Sequence, residues 1–186
     1  MIADQLLRQG AVAEIVGPLS SGRTSLLAAC LRLVTRAGGA AALVDADDAF
    51  DPASAARAGV DLRRVLWVRC DGRRDAALRA TDLLVRCPGF ALVALDVGES
   101  PPRISLAAAF RLKLAVRRSG TALLIVARRR IAGAGAALAV QTFRRGLAWA
   151  GPGRAPTRLA GMQTGVCVLR RQGAPAAGDG VVWWSA

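Results

Sequence analysis

Residues Gly17-Pro18-Leu19-Ser20-Ser21-Gly22-Arg23-Thr24-Ser25 constrain this chain more than any other stretch. They follow an apolar run, Ala11–Val16, and read as a phosphate-binding loop at the end of a strand. The pattern G-x-x-x-x-G-K-[ST] uses backbone N–H groups to cradle phosphates, a lysine to reach the β- and γ-phosphates and a hydroxyl to hold Mg²⁺. Here the glycines and the hydroxyl stand, but the lysine is Arg23. Arginine keeps the charge and presents a broad planar fork in place of a compact ammonium. The candidate nucleotide-binding residues are therefore Gly17, Ser20, Ser21, Gly22, Arg23, Thr24 and Ser25, with catalytic competence in doubt.

The rest of the chain alternates apolar strand-like runs with helical patterns. Thr24–Ala37 carries Leu27, Leu31 and Val34 on one stripe, and Gly38-Gly39 stops it. Ala41–Asp45 and Arg64–Val68 read as strands, with a short helix opening at Asp51-Pro52 between them. A helix over Arg74–Arg86 closes at Cys87-Pro88-Gly89. Phe90–Leu95, ending in Asp96, and Thr121–Val126 are nearly all apolar, as strands buried on both faces are. Between them lies a helix with Leu106, Phe110 and Leu114 at four-residue spacing and Arg111, Arg117 and Arg118 elsewhere on its surface. This order predicts a mainly parallel α/β sheet flanked by helices. After a turn at Gly133–Gly135 the pattern predicts a helix over Ala136–Arg145. Short strands at Leu147–Trp149, Gly165–Arg171 and Val181–Trp184 follow, interrupted at Gly151-Pro152-Gly153 and Gly173-Ala174-Pro175. They are expected to add antiparallel strands to one edge. The 186 residues fit one domain, with a core over about 8–145 and an edge-strand tail over about 146–186.

Two carboxylates belong with the loop. Asp96 ends a buried strand, where such folds place the acid that holds the Mg²⁺ water shell. Asp47, after the second strand, stands where a carboxylate activates water, and strand ends of an open α/β sheet converge near the loop. The chain has no His and no Tyr, which removes His-based triads and most zinc ligand sets. Its four cysteines, Cys30, Cys70, Cys87 and Cys167, are dispersed in or near apolar segments and read as buried free thiols of a reducing cytoplasm. No signal peptide and no apolar stretch long enough to span a bilayer is visible, so a cytoplasmic location without membrane association is expected. The formal charge is +13, and 25 of the 26 basic residues are arginine. That balance fits an acidic partner, nucleic acid or an acidic protein surface, or simply a solvated arginine coat.

These segments resemble the RecA recombinase family. Glu14-Ile15-Val16-Gly17-Pro18-Leu19-Ser20-Ser21-Gly22-Arg23-Thr24 is similar to its Walker A strand and loop, and Leu92-Val93-Ala94-Leu95-Asp96 to its Walker B strand. Val44 to Pro52, followed by Ala58-Gly59-Val60-Asp61, resembles the segment that carries the family's catalytic glutamate. Thr121–Val126 resembles the strand before its second DNA-binding loop. The resemblance implies a RecA-like core that binds ATP or ADP with Mg²⁺.

The departures from the family weaken that implication. The glutamate position holds Asp47, one methylene shorter, a vestige of a catalytic residue. The first DNA-binding loop is reduced to Gly98–Ser105 and the second to about Ile131–Gly135. Arg128-Arg129-Arg130 stand where the family senses the γ-phosphate, and are candidates to contact DNA or phosphate. Without a polymerisation helix before Met1, a strand-exchange filament is not expected. Among trimmed relatives the chain most resembles the ImuA family, accessory proteins of mutagenic translesion synthesis in the SOS response to DNA damage. That resemblance implies as partners an ImuB-like homologue of Y-family polymerases, RecA itself and non-specific DNA, with a homo-oligomer left open. SulA-like cell-division regulators are a further trimmed group, but they have lost the loop that this chain keeps. An ATP-driven switch remains the competing class. Trp183 and Trp184 are candidates for a partner interface, with strand alternation pointing one of them inward.

Overall fold

The structure is a computed structural model, describing residues 2–152, 157–173 and 180–185, the last as backbone alone. One eight-stranded sheet runs in the order β3-β2-β4-β5-β1-β6-β7-β8. Its first six strands in that order are parallel: β1 (Val12–Val16), β2 (Ala40–Asp45), β3 (Val65–Arg69), β4 (Phe90–Asp96), β5 (Ala122–Ala127) and β6 (Leu138–Ala150). Strands β7 (Arg158–Arg171) and β8 (Gly180–Ser185) continue it antiparallel. The expected α/β architecture with antiparallel edge strands is the one observed.

The central strands are nearly all apolar, with Glu14 of β1 and the strand-end Asp45 and Asp96 as exceptions, because both of their faces are covered. Side chains alternate across the sheet. Leu92, Ala94, Leu124 and Ile15 face α1 (Ile2–Leu6), α2 (Arg23–Arg36) and the segment of α3 (Pro52–Arg57), in one core with Leu27, Leu31 and Ala55. Val93, Leu123 and Ile125 face α4 (Arg74–Arg86) and α5 (Leu106–Ser119), in a second core with Val85, Leu112 and Val116. Asp51 caps α3, accepting from the N–H groups of Ala53 and Ser54 at 3.1 Å each, with Pro52 as the first helical residue.

The structure adds to or departs from the sequence reading at four points. Residues 136–145 do not form a helix. Leu138–Ala150 is a 13-residue strand, parallel to β1 and antiparallel to β7. Its alanines carry little strand preference of their own, and Val140, Thr142 and Phe143 gain from pairing that local propensity does not reveal. The separate strand expected at 147–149 is the far end of β6, which runs on past a register shift between Arg144 and Gly146. The Leu106, Phe110 and Leu114 stripe of α5 does not face the core. Ala109, Leu112, Ala115 and Val116 do, and the three larger residues are exposed. Finally, Cys30 and Cys70 are buried free thiols as expected, but Cys87 is exposed and Cys167 half-buried. No helix among the described residues is long and apolar enough to cross a membrane.

Candidate functional site

The loop leaves β1 at Val16 and enters α2 at Arg23. Gly22 is the N-cap, at φ 92°, and supplies no side-chain cap, so the first N–H groups of α2 stay open to a ligand. Ser20 also sits at positive φ, 57°. The glycines are required by close packing as well as by conformation. A Cβ at Gly22 would stand 2.1 Å from Thr164 Oγ1, and one at Gly17 would stand 2.4 Å from Thr142 Oγ1. Ser21 Oγ and Thr142 Oγ1 share a hydrogen bond of 2.7 Å. Threonines of β6 and β7 thus brace the loop from the side.

Arg23 is buried and turned back on its own loop. Its Nη1 donates to the Gly17 carbonyl at 2.8 Å, and its Nη2 is hydrogen-bonded and ion-paired with the Glu99 carboxylate. Arg128 Nη1 lies 3.9 Å from the other Glu99 oxygen. Thr24 is exposed and Ser25 half-buried. Both line a cleft of ≈ 640 Å³ that Phe50, Asp51, Ser54 and Arg57 border from the other side.

Three carboxylates gather at the ends of β2 and β4. Asp45 is buried and structural: it accepts from the N–H groups of Ala49 and Phe50 at 3.1 and 2.9 Å and from Trp67 Nε1 at 3.2 Å. It thereby fixes the turn that presents Asp47. Asp47 itself is ion-paired to Arg74 Nη2 at 2.5 Å, and its carboxyl lies where a Cβ on Gly98 would stand, 1.9 Å from Oδ2. Asp96 accepts from the Gly98 N–H at 2.9 Å. Burial pushes the Asp96 acid up to about 6. The Gly98 hydrogen bond and Arg23 pull it back, while Asp45 and Asp47 add to the rise.

Within the arginine run, Arg129 and Arg130 are hydrogen-bonded internally, whereas the Arg128 side chain is 63% exposed. Arg128 approaches Glu99, and Arg129 Nη2 donates to the Pro101 carbonyl at 3.1 Å. Arg130 donates to Glu14 Oε2 at 3.2 Å and to the Gly133 carbonyl at 2.6 Å. Glu14, fully buried on β1, also accepts from the N–H groups of Ile131 and Ala132 at 2.7 Å each. It anchors the shortened loop 131–135. Trp183 and Trp184 belong to β8 and pair with Gln163 and Met162, but their side chains lie outside the described residues.

The structure therefore gathers Gly17, Ser20–Ser25, Asp47 and Asp96 at one end of the sheet, with Arg128 beside them through Glu99. Sequence reasoning missed Glu99, Arg74, Thr142 and Thr164. All four meet the site through non-local contacts, and only the position of Glu99 three residues after Asp96 offers a local hint. The backbone of the loop and the adjoining cleft fit a phosphorylated nucleotide. The side chains fit it less well, because Arg23 is held by Glu99 and Asp47 by Arg74. Among the described residues no cluster of His, Cys, Asp and Glu is arranged to hold a metal ion by itself.

Residues 5–113 match the model of the RecA N-terminal domain. The chain is 40% identical over 101 residues to protein RecA of Tropheryma whipplei (strain Twist), covering 54% of this chain and 23% of that protein. It is 41% identical over 90 residues to protein RecA of Caulobacter vibrioides (strain NA1000 / CB15N), covering 48% of this chain and 25% of that protein. These matches span about a quarter of the length of either relative. In fold it is similar to a crystal structure of the RadB recombinase, with a TM-score of 0.67 and 18% identity over 96% of this chain and 90% of that one. With more than half of its length inside the family model, and with the loop and strand-end acids in place, the chain belongs to the RecA N-terminal domain family.

Proposed function

We propose that this chain is a RecA-fold accessory protein of DNA-damage tolerance, most like ImuA, which acts through protein partners and non-specific DNA contact rather than through ATP turnover. The observation that carries the reading is the Arg23 contact. The residue in the lysine position of the loop is bonded to Gly17 and Glu99, and the acid in the glutamate position is bonded to Arg74. A group displaced by about an ångström can cost ~10²-fold in rate, and both groups here are held elsewhere. The expected partners are an ImuB-like homologue of Y-family polymerases and RecA, in the cytoplasm. Strands β6 to β8 offer one interface, where Trp149 of β6 and its partner Leu159 of β7 are both exposed and β8 forms the sheet edge.

A phosphate-release assay on the purified protein, run beside direct binding to an ImuB-like protein, tests this. Negligible ATP turnover and a specific complex are expected. Turnover at the rate of ordinary ATPases, or no complex with either partner, overturns the reading. A nucleotide-gated switch is the second reading, favoured by the open N–H groups of α2 beside the cleft at Thr24. It requires tight, Mg²⁺-dependent ADP or ATP binding that alters partner affinity.

A further inference from the structure

Helix α5 turns its largest apolar residues away from the protein. Leu106 is 65% exposed, Phe110 48% and Leu114 49%. Spaced four apart, they form a single ridge about 12 Å long on the side opposite Ala109, Leu112 and Val116, which reach the core. A ridge of i±4 residues is the shape that fits the matching groove of a second helix, the commonest helix–helix packing in globular proteins.

The surroundings of the ridge carry one sign of charge. Arg118 continues the ridge at its C-terminal end. Lys113 and Arg117 lie in the row on one side and Arg111 in the row on the other, and α5 contains no acidic residue. The Lys113 ammonium stands 5.9 Å from the Phe110 ring centre. Asp82 on α4 feels Arg111 but is already bonded to Arg86 at 2.8 and 3.0 Å. Four cations around an exposed apolar ridge have their complement in a helix with an apolar stripe and acidic flanks.

We infer that the outer face of α5 is a docking surface for an acidic amphipathic helix of a partner protein, with Leu106, Phe110 and Leu114 as its apolar anchors and Arg111, Lys113, Arg117 and Arg118 as its charged rim. A second copy of the chain is a poor occupant, because a symmetric α5–α5 contact sets these cations against themselves. A bilayer is a poor one as well. Interfacial helices insert a broad apolar face, whereas here Phe110 and Leu114 are already half covered by the protein. The inference is independent of the proposed function, since neither ATP turnover nor the identity of the partner enters it.

The test is fluorescence anisotropy with a labelled helical peptide of about 18 residues, leucine on one face and glutamate on the other. A control peptide carries lysine in place of glutamate. The wild-type protein is expected to bind the glutamate peptide and not the lysine peptide. L106Q/L114Q should weaken binding at least tenfold, and R111E/R117E should do the same, both with native circular dichroism because all four positions are exposed. The two variants probe the anchors and the rim independently, so loss of fold in one leaves the other decisive. Equal binding of the two peptides, or wild-type affinity in either folded variant, overturns the inference. So does ridge-dependent binding to phosphatidylserine vesicles without peptide binding, which assigns the face to lipid, or ridge-dependent self-association in sedimentation, which assigns it to a second copy.

Discussion

Replacing Glu99 by alanine should make the protein less stable and its loop more receptive at the same time. The Arg23 guanidinium has two partners, the Gly17 carbonyl and the Glu99 carboxylate. The arginine side chain is 8% exposed and that of Glu99 31%. A hydrogen bond to a charged group contributes about 1.5–3 kcal/mol, and the water access of Glu99 places this one at the lower end. Because the Gly17 bond survives the substitution, the guanidinium is not orphaned, and the cost stays below the 3–5 kcal/mol typical of breaking a fully buried pair. The expected loss is about 1–2 kcal/mol, read as a lower urea midpoint at unchanged slope. The same contact competes with any phosphate that calls on Arg23. If binding first requires Arg23 to leave Glu99, removing that requirement strengthens apparent affinity by the same free energy, and about 1.4 kcal/mol is tenfold. Calorimetric titration with Mg-ADP should therefore show about tenfold tighter binding in the variant. Asp47→Asn is the control for simple loss of negative charge: it neutralises a carboxylate of the same cluster whose partner is Arg74, and should tighten binding by less than about threefold. Destabilisation with unchanged or weaker ADP binding would refute the competition, and unchanged stability would refute the contribution of the contact.

Three further outcomes follow from the site and the charge. The Asp96 acid is raised to about 6, so between about pH 4 and 6 the folded state holds the proton that the unfolded state gives up, and the Asp96 contribution to stability declines as pH rises through that window. Asp96→Asn, which still accepts from Gly98, should stabilise the fold by about 1–2 kcal/mol at pH 7.5 after allowance for partial exposure and by nothing at pH 4, whereas a pH-independent difference in urea unfolding would contradict this. Gly98→Ala forces a Cβ to within 1.9 Å of Asp47 Oδ2 at a φ of 60°, and should cost roughly 2 kcal/mol or more. Partial recovery in the Gly98→Ala/Asp47→Ala double variant identifies the carboxyl as the obstacle, and no recovery rejects it. DNA binding, if driven by the +13 charge, should weaken with salt at a log–log slope near −0.9 per neutralised phosphate on duplex DNA and ignore sequence; a flat salt response in anisotropy titrations would count against it.

The sequence by itself determined the class of fold, the loop and the acid at its side. Gly17 and Gly22, the apolar runs that became β1, β2, β4 and β5, and Asp96 at a strand end are all local signals, legible because a buried parallel strand is apolar on both faces and ends where glycine or a charge stops it. Only the tertiary structure decided what the loop's residues do. Glu99 lies 76 positions from Arg23, and the Thr142 hydroxyl meets Ser21 across 121. No spacing in the chain announces such pairs, because they are made by strand order, and strand order is a property of the assembled sheet. The same holds for β6, whose alanine-rich start is neutral between helix and strand until β1 and β7 supply its partners. Helix α5 carries two sets of apolar residues, and their spacing does not say which of them faces the sheet. The sheet took the smaller set, Ala109, Leu112, Ala115 and Val116, because small side chains let the helix approach closely, and this left Leu106, Phe110 and Leu114 outside.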